Sequence, residues 1–426
     1  MSAPAPETMR RGWCPGTLRP MRTGDGLLVR LHPPRNALTP DALGTIAGLA
    51  SRHGNGQIEI SGRGHLQLRG LAEDSHPRLV AALLEAGLVD EAQGAGPNRL
   101  VLTSPLAGRA ADELIDAAAL AQRLEQTGHA HPGLPAKFSI VVDGGGALAL
   151  DGVAADIRLL ALATDAIAIG LPGDLWLGPV RTAAASDQVA QLLRGFLARG
   201  AARMRDLDRE ALAGLAAAGP LVVIPAPPRR PAPACVGIAP EKDGRFAVLA
   251  GLVFGRADAA GLLQIARLAR EAQVEEIRPS PWRGLAFCGL RRDGALRLRA
   301  ALAGEGLITA GGDPRLAVSA CAGAPSCARG EAPALADAAR LAETLAPLLA
   351  QGLSLHVSGC AKSCARAGRA GLTLVGAAGV YDVVIGGGAR DPAFARLSLS
   401  ELVQRLGPGQ DIRARLEAAR QQDQRV

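Results

Sequence analysis

Pro314-Arg315-Leu316-Ala317-Val318-Ser319-Ala320-Cys321 repeats, 216 positions downstream, the stretch Asn98-Arg99-Leu100-Val101-Leu102-Thr103-Ser104-Pro105. The same shift relates Ala163-Thr164-Asp165-Ala166-Ile167-Ala168-Ile169-Gly170 to Gly379-Val380-Tyr381-Asp382-Val383-Val384-Ile385-Gly386. Upstream the shift is 219: Glu85-Ala86-Gly87-Leu88-Val89 matches Gly304-Glu305-Gly306-Leu307-Ile308, and Arg69-Gly70-Leu71 matches Cys288-Gly289-Leu290. The two spacings imply a duplicated chain with one small deletion between the copies. The copies meet at Pro225-Ala226-Pro227-Pro228-Arg229-Arg230-Pro231-Ala232-Pro233, which disfavours helix and sheet and reads as an extended linker.

Each copy has two parts. The first opens with a strand at 27–31 or 246–253, followed by a helix near 41–52 or 259–272. A second strand at 57–68 or 275–288 and another helix complete a ferredoxin-like order. The second part, from Arg99 or Arg315, alternates helices with apolar strands such as 137–143 and 354–358, an α/β pattern. The fold expected is α+β and internally duplicated: paired ferredoxin-like halves at 12–90 and 235–310, and α/β domains at 91–224 and 311–405. A linker at 225–234 and a C-terminal helix or tail at 406–426 account for the remainder.

Cys321 and Cys327 form C-x5-C, and Cys360 and Cys364 form C-x3-C after a gap of 32 residues. Both pairs sit in small-residue loops running into Ala/Arg-rich stretches that read as helical. Four thiolates suit a [4Fe–4S] cluster, with helix-start N–H groups offsetting its negative charge. Structural zinc also takes four thiolates, but C-x5-C is loose for it. Unligated thiols pack as small hydrophobes, a reading that the prolines and small residues oppose. At the shift of 216 the counterparts are Pro105, Ala111, Gly144 and Leu148, so only the second copy carries the cysteines. Lys362, inside the second pair, can hydrogen-bond a cluster sulfur or face solvent.

The net charge of +7 is almost all arginine, since Lys137, Lys242 and Lys362 are the only lysines. Arginine forks suit carboxylates and phosphates. With aromatics at 2% and arginines spread along the chain, stacking platforms for nucleic acid are missing. No apolar run approaches a membrane span and no leader-like apolar segment opens the chain, so a soluble, cytoplasmic protein without a membrane partner is expected. Cys14, Cys235 and Cys288 are scattered, unlike a disulfide framework. Gly144-Gly145-Gly146 and Gly386-Gly387-Gly388 lack the spacing of a dinucleotide loop.

The repeat, the cysteine spacing, Asn98-Arg99-Leu100-Val101-Leu102 and Leu134-Pro135-Ala136-Lys137-Phe138 together resemble the sulfite/nitrite reductase hemoprotein family over roughly residues 12–405. The resemblance implies a tetrapyrrole, siroheme, between the halves, coupled to the [4Fe–4S] cluster through Cys364. It assigns Arg63, Arg99 and Lys137 to the basic face around the bound ligand. Where sulfite reductases carry a second lysine, this chain has Ser139, which counts against six-electron sulfite reduction. The short chain, the Cys360-Ala361-Lys362-Ser363-Cys364 loop and Ile58-Glu59-Ile60-Ser61-Gly62-Arg63-Gly64-His65-Leu66-Gln67 resemble the precorrin-3B synthase branch. That branch implies a tetrapyrrole substrate, precorrin-3A, with dioxygen and an external electron donor as co-reactants. It also implies a mononuclear non-heme iron, for which His65, His129, His131 and His356 are candidates. His65 joins the expected substrate face. A siroheme-dependent nitrite or sulfite reductase and an iron–sulfur or tetrapyrrole-binding carrier are the competing readings.

Overall fold

The computed structural model describes residues 14–89 and 97–406. The expected boundary at 90/91 and the expected tail beyond residue 406 lie outside the described residues.

The first part of copy one is antiparallel. Strands Gly26–Leu31, Leu66–Leu71 and Gln57–Ile60 pair in that order, with Met21–Thr23 at one edge. The extended stretch expected at 57–68 is a hairpin, because Ser61 to His65 reverses the chain. Ser61 N–H donates to His65 O (2.9 Å), Gly64 N–H donates to Ser61 O (2.9 Å), and Gly64 takes φ +67°, which its missing Cβ permits. The second copy does the same: the stretch expected at 275–288 splits into Glu276–Ser280 and Gly284–Leu290 around Arg283, at φ 59°. Helix Pro40–His53 begins where Thr39 Oγ1 accepts the Ala42 N–H (3.1 Å) and ends on Arg52 and His53. Its Leu43, Ile46, Ala47 and Ala50 are buried at helical spacing.

In these parts the shift of 219 holds residue by residue. Leu27 pairs with Leu71 and Phe246 with Leu290; Ile58 pairs with Leu68 and Ile277 with Phe287. Even a β-bulge recurs, between Leu27 and Val29 and between Phe246 and Val248. The halves then exchange matching contacts. Leu38 bridges Ile277, while Ala257, in strand Arg256–Asp258, pairs with Ile58 at the edge of the first sheet. These reciprocal pairs describe a pseudo-twofold axis. One hydrophobic core draws on both halves, from Leu27 to Leu88 and from Val248 to Leu307.

The α/β parts are mixed sheets. Val101–Thr103, Ile140–Asp143 and Ile157–Ala163 run parallel, then an antiparallel meander of Ala166–Leu171, Leu175–Val180 and Val223–Ile224 follows. In copy two Val318–Ala320, Leu355–Ser358 and Ala370–Ala377 are parallel, and Val380–Gly387 and Ala395–Leu397 return antiparallel. Here the constant shift of 216 fails. Val101 and Val318 open equivalent strands 217 apart, Ile140 and Leu355 are 215 apart, and Ala166 and Val380 are 214 apart. Loops of unequal length absorb the differences. The run from Pro225 to Pro233 has neither helix nor strand, yet it is docked: Arg230 ion-pairs with Asp143 and with Asp151 (2.8 Å).

Candidate active site

Cys321 directly follows strand Val318–Ala320, and Cys360 lies two residues beyond strand Leu355–Ser358. The strands are parallel neighbours, so both loops leave the same sheet edge, where α/β sheets commonly bind ligands. Small residues let the loops touch backbone to backbone. A Cβ added to Gly359 would sit 2.9 Å from the Gly323 Cα and 3.3 Å from the Gly330 Cα. Cys327 N–H donates to Gly323 O (2.7 Å), Glu331 N–H to Gly359 O (2.7 Å), and Gly359 N–H to the Cys321 sulfur (3.1 Å). The helices expected after the cysteines are absent at this range. Helix Ala334–Thr344 starts seven residues past Cys327, and Cys364 leads into strand Ala370–Ala377. Arg366 and Arg369 instead cap carbonyls, on Arg369 and Gly386, as the chain joins the sheet.

All four cysteines line one cavity of about 530 Å³. Cys364 is exposed to that space, while the surrounding protein desolvates its thiol and pushes it up to about 11. Burial raises Cys360 as well, and each of these two thiols feels Cys321 and Cys327. Among the described residues no three His, Cys, Asp or Glu side chains gather closely enough for a single metal ion. Four thiols on one cavity wall, one already accepting a backbone N–H, have the donor chemistry of a polynuclear iron–sulfur centre.

Among the described residues, nine arginine and lysine side chains line the cavity against one carboxylate, Glu59. Several are fixed in a network on the sheet of the first half. Arg69, 5% exposed, pairs with Asp25 (2.9 Å) and Glu59 (3.5 Å), and donates to Ser326 O (2.6 Å) in the first cysteine loop. Glu59 also holds Arg256 and accepts from Gln67 (3.1 Å), which in turn accepts from Arg30 (2.8 Å). Arg283 donates to Ala365 O beside Cys364. Desolvation lowers the pKa of Arg30, Arg256 and Arg283, although guanidinium stays protonated. Basic groups far outnumber carboxylates among these lining residues, a setting that favours an anionic ligand.

Lys137 and Lys362 line this cavity; Arg63, His65 and Arg99 are not among its lining residues. Arg63 donates to Ser139 Oγ (2.9 Å) and Ala154 O (2.7 Å). Ser139 is fully buried, its N–H held by Asp156 (2.9 Å), which pairs with Arg203. Ser139 therefore seats Arg63 and does not face the ligand space. Arg99 donates to Asn36 Oδ1 (2.6 Å) and Pro33 O (3.2 Å). His65 is 7% exposed with neither ring nitrogen hydrogen-bonded, and it meets His32 edge-to-face at 5.2 Å. Burial, then Arg30, hold its pKa well below normal. His129 is exposed at a helix end, and His131 Nδ1 lies 2.7 Å from Thr127 O. His356 is fully buried beside strand neighbours Ser319 and Thr373.

Sequence reasoning missed Arg30, Glu59, Gln67, Arg69, Arg256 and Arg283. One signal was readable: in Leu66-Gln67-Leu68-Arg69, apolar and polar residues alternate as on a strand with a polar face. The duplication shows what that face would otherwise be. Leu28, Arg30, Gln67 and Arg69 correspond at 219 to Ala247, Leu249, Ala286 and Cys288. Those four form a buried apolar cluster with Leu106, so the twin of the cavity is packed shut.

The nitrite/sulfite reductase ferredoxin-like half domain matches residues 19–86, and the nitrite and sulphite reductase 4Fe-4S domain matches residues 95–277. A precorrin-3B synthase from Sinorhizobium sp is 37% identical over 90% of this chain and 84% of its own. The chain belongs to the nitrite/sulfite reductase family, on the precorrin-3B synthase branch. A sulfite reductase [ferredoxin] 2 from Mycolicibacterium paratuberculosis is more distant, 25% identical over 80% of this chain and 68% of its own. The solved structure of Mycobacterium tuberculosis NirA has the same fold, with a TM-score of 0.72 and 22% identity over 89% of this chain and 79% of that one. This family member is thus an enzyme with the duplicated α+β architecture, and no helix among its described residues is long and apolar enough to cross a membrane.

Proposed function

We propose that this enzyme converts precorrin-3A to precorrin-3B in aerobic cobalamin synthesis. The observation that carries the reading is the cavity, where four cysteines and an excess of eight basic side chains over one carboxylate share a space of about 530 Å³. The similarity to the Sinorhizobium enzyme supports the same substrate class. Cys321, Cys327, Cys360 and Cys364 would hold a [4Fe–4S] cluster, which supplies single-electron transfer when bound. Lys362 stands beside it. Arg30, Arg69, Arg256, Arg283 and Lys137 would neutralise and fix the carboxylate arms of the macrocycle. Arg63, seated on Ser139, with Arg99 and His65, would build the wall behind Arg30.

In the net reaction C20 gains one oxygen atom of dioxygen as hydroxyl. The other leaves as water with two electrons and two protons from an external donor. The double bond between C20 and the adjoining ring-A carbon is consumed as that carbon takes the ring-A acetate oxygen, which closes the γ-lactone, and the carboxyl proton passes to the C20 oxygen. The described residues offer no ligand set for the mononuclear iron implied by the branch, and no step is assigned to it. The test is turnover of precorrin-3A by the reduced protein under ¹⁸O₂. One labelled oxygen in a lactone product is expected. Siroheme bands that copurify with the protein, together with nitrite or sulfite reduction and no oxygen uptake, would replace this reading with that of a reductase.

A further inference from the structure

Among the described residues, Phe254 is the only aromatic side chain that lines the cavity. It also sits in left-handed backbone, at φ 54° and ψ 18°. That region suits glycine and asparagine, and a bulky aromatic there is an outlier whose strain the surrounding structure must hold. The turn itself does not ask for phenylalanine. Its twin, 219 positions earlier, is Arg35 at φ 53° and ψ 16°, an exposed residue in the same short turn before the same helix. What differs is the surroundings: the Phe254 ring is half-buried against the core of the cysteine-bearing domain, which also contacts Cys321. The lining otherwise combines guanidinium and ammonium groups with the aliphatic side chains of Met21, Leu28 and Ile60. The cations recognise carboxylate arms and the aliphatic groups add apolar area, but none of them presents a flat ring to a macrocycle face.

We infer that Phe254 is a positioning residue for the tetrapyrrole, its ring supporting the macrocycle face on the side of the cysteine loops. The inference rests on the tetrapyrrole reading above. Two variants separate binding from folding. Phe254→Leu keeps apolar volume without the flat ring, and Phe254→Asn is tolerated in left-handed backbone but offers no apolar face. The probe is uroporphyrin III, a macrocycle with eight carboxylates, titrated into the anaerobically purified full chain and followed by its Soret shift. Phe254→Leu is expected to weaken binding by about three- to tenfold, the range of an aromatic contact. Phe254→Asn should weaken it further, with cluster absorbance unchanged and a melting temperature no lower than that of Phe254→Leu. Wild-type affinity in both variants overturns the role of Phe254 and leaves the tetrapyrrole reading standing. A wild-type chain that binds neither uroporphyrin III nor precorrin-3A overturns both.

Discussion

Arg69 shows how much a single side chain carries. It joins Asp25, Glu59 and the Ser326 carbonyl while only 5% exposed. Replacing it with leucine takes the guanidinium away from Asp25, while Glu59 keeps Arg256, and a broken buried pair costs about 3 kcal/mol. Urea unfolding should show that loss, and iron content should fall with it, because the first cysteine loop loses its anchor. The buried histidines set an acid limit. His356, with no exposure and no hydrogen-bond partner for its ring, is held down at about 4 by burial and then by Arg366 and Arg283. Its folded pKa lies below the ordinary value near 6.5, so the unfolded chain takes up the proton first. Stability is complete above about pH 6.5 and drains away as pH falls toward 4, by about 3 kcal/mol from this group. Melting temperatures from pH 7.5 to 4.5 should fall steeply, and His356→Leu should flatten the slope. The four cysteines stood out in the sequence by their spacing. The arginines did not, because the chain has so many and only the strand geometry selects those facing the cavity.

Elements explain why the cysteine loops are built from small residues. Gly359→Ala would drive a methyl group into the Gly323 backbone, so the loops must part. Cluster absorbance after reconstitution should drop severalfold while far-ultraviolet dichroism stays near wild type. Gly48 gives the opposite sign. It lies inside helix Pro40–His53 with no neighbour within 4 Å, so Gly48→Ala should raise stability by about 0.5–1 kcal/mol in the same urea assay. Helix Pro40–His53 was legible as the helix expected near 41–52, one residue short at each end. The hairpins at Ser61–His65 and around Arg283 were not: each stretch, 57–68 and 275–288, reads as a single strand until the reversal is seen. The loop after Cys364 misled for a similar reason. Its Ala/Arg composition suits helix, but the parallel strand beside it captures the chain first.

For the molecule as a whole, the shared core between the halves has a direct consequence. Residues of both ferredoxin-like parts form one hydrophobic cluster, so neither ferredoxin-like part buries its apolar surface alone. Fragments 1–224 and 235–426 expressed singly should aggregate or stay unfolded. Expressed together they should associate into one species of intact mass by size exclusion; two separately folded monomers would disprove the shared-core account. The sequence by itself determined the duplication and the family, and it marked out four cysteines by their spacing, since these reside in pattern along the chain. Only the tertiary structure decided where the ligand space lies. Two copies with one backbone plan could each form a cavity, and what differs is side-chain packing across domains. Arg30, Gln67 and Arg69 leave a charged space above the cysteines, whereas Leu249, Ala286 and Cys288 close against Leu106. That asymmetry arises from contacts between residues more than a hundred positions apart, which no local pattern records.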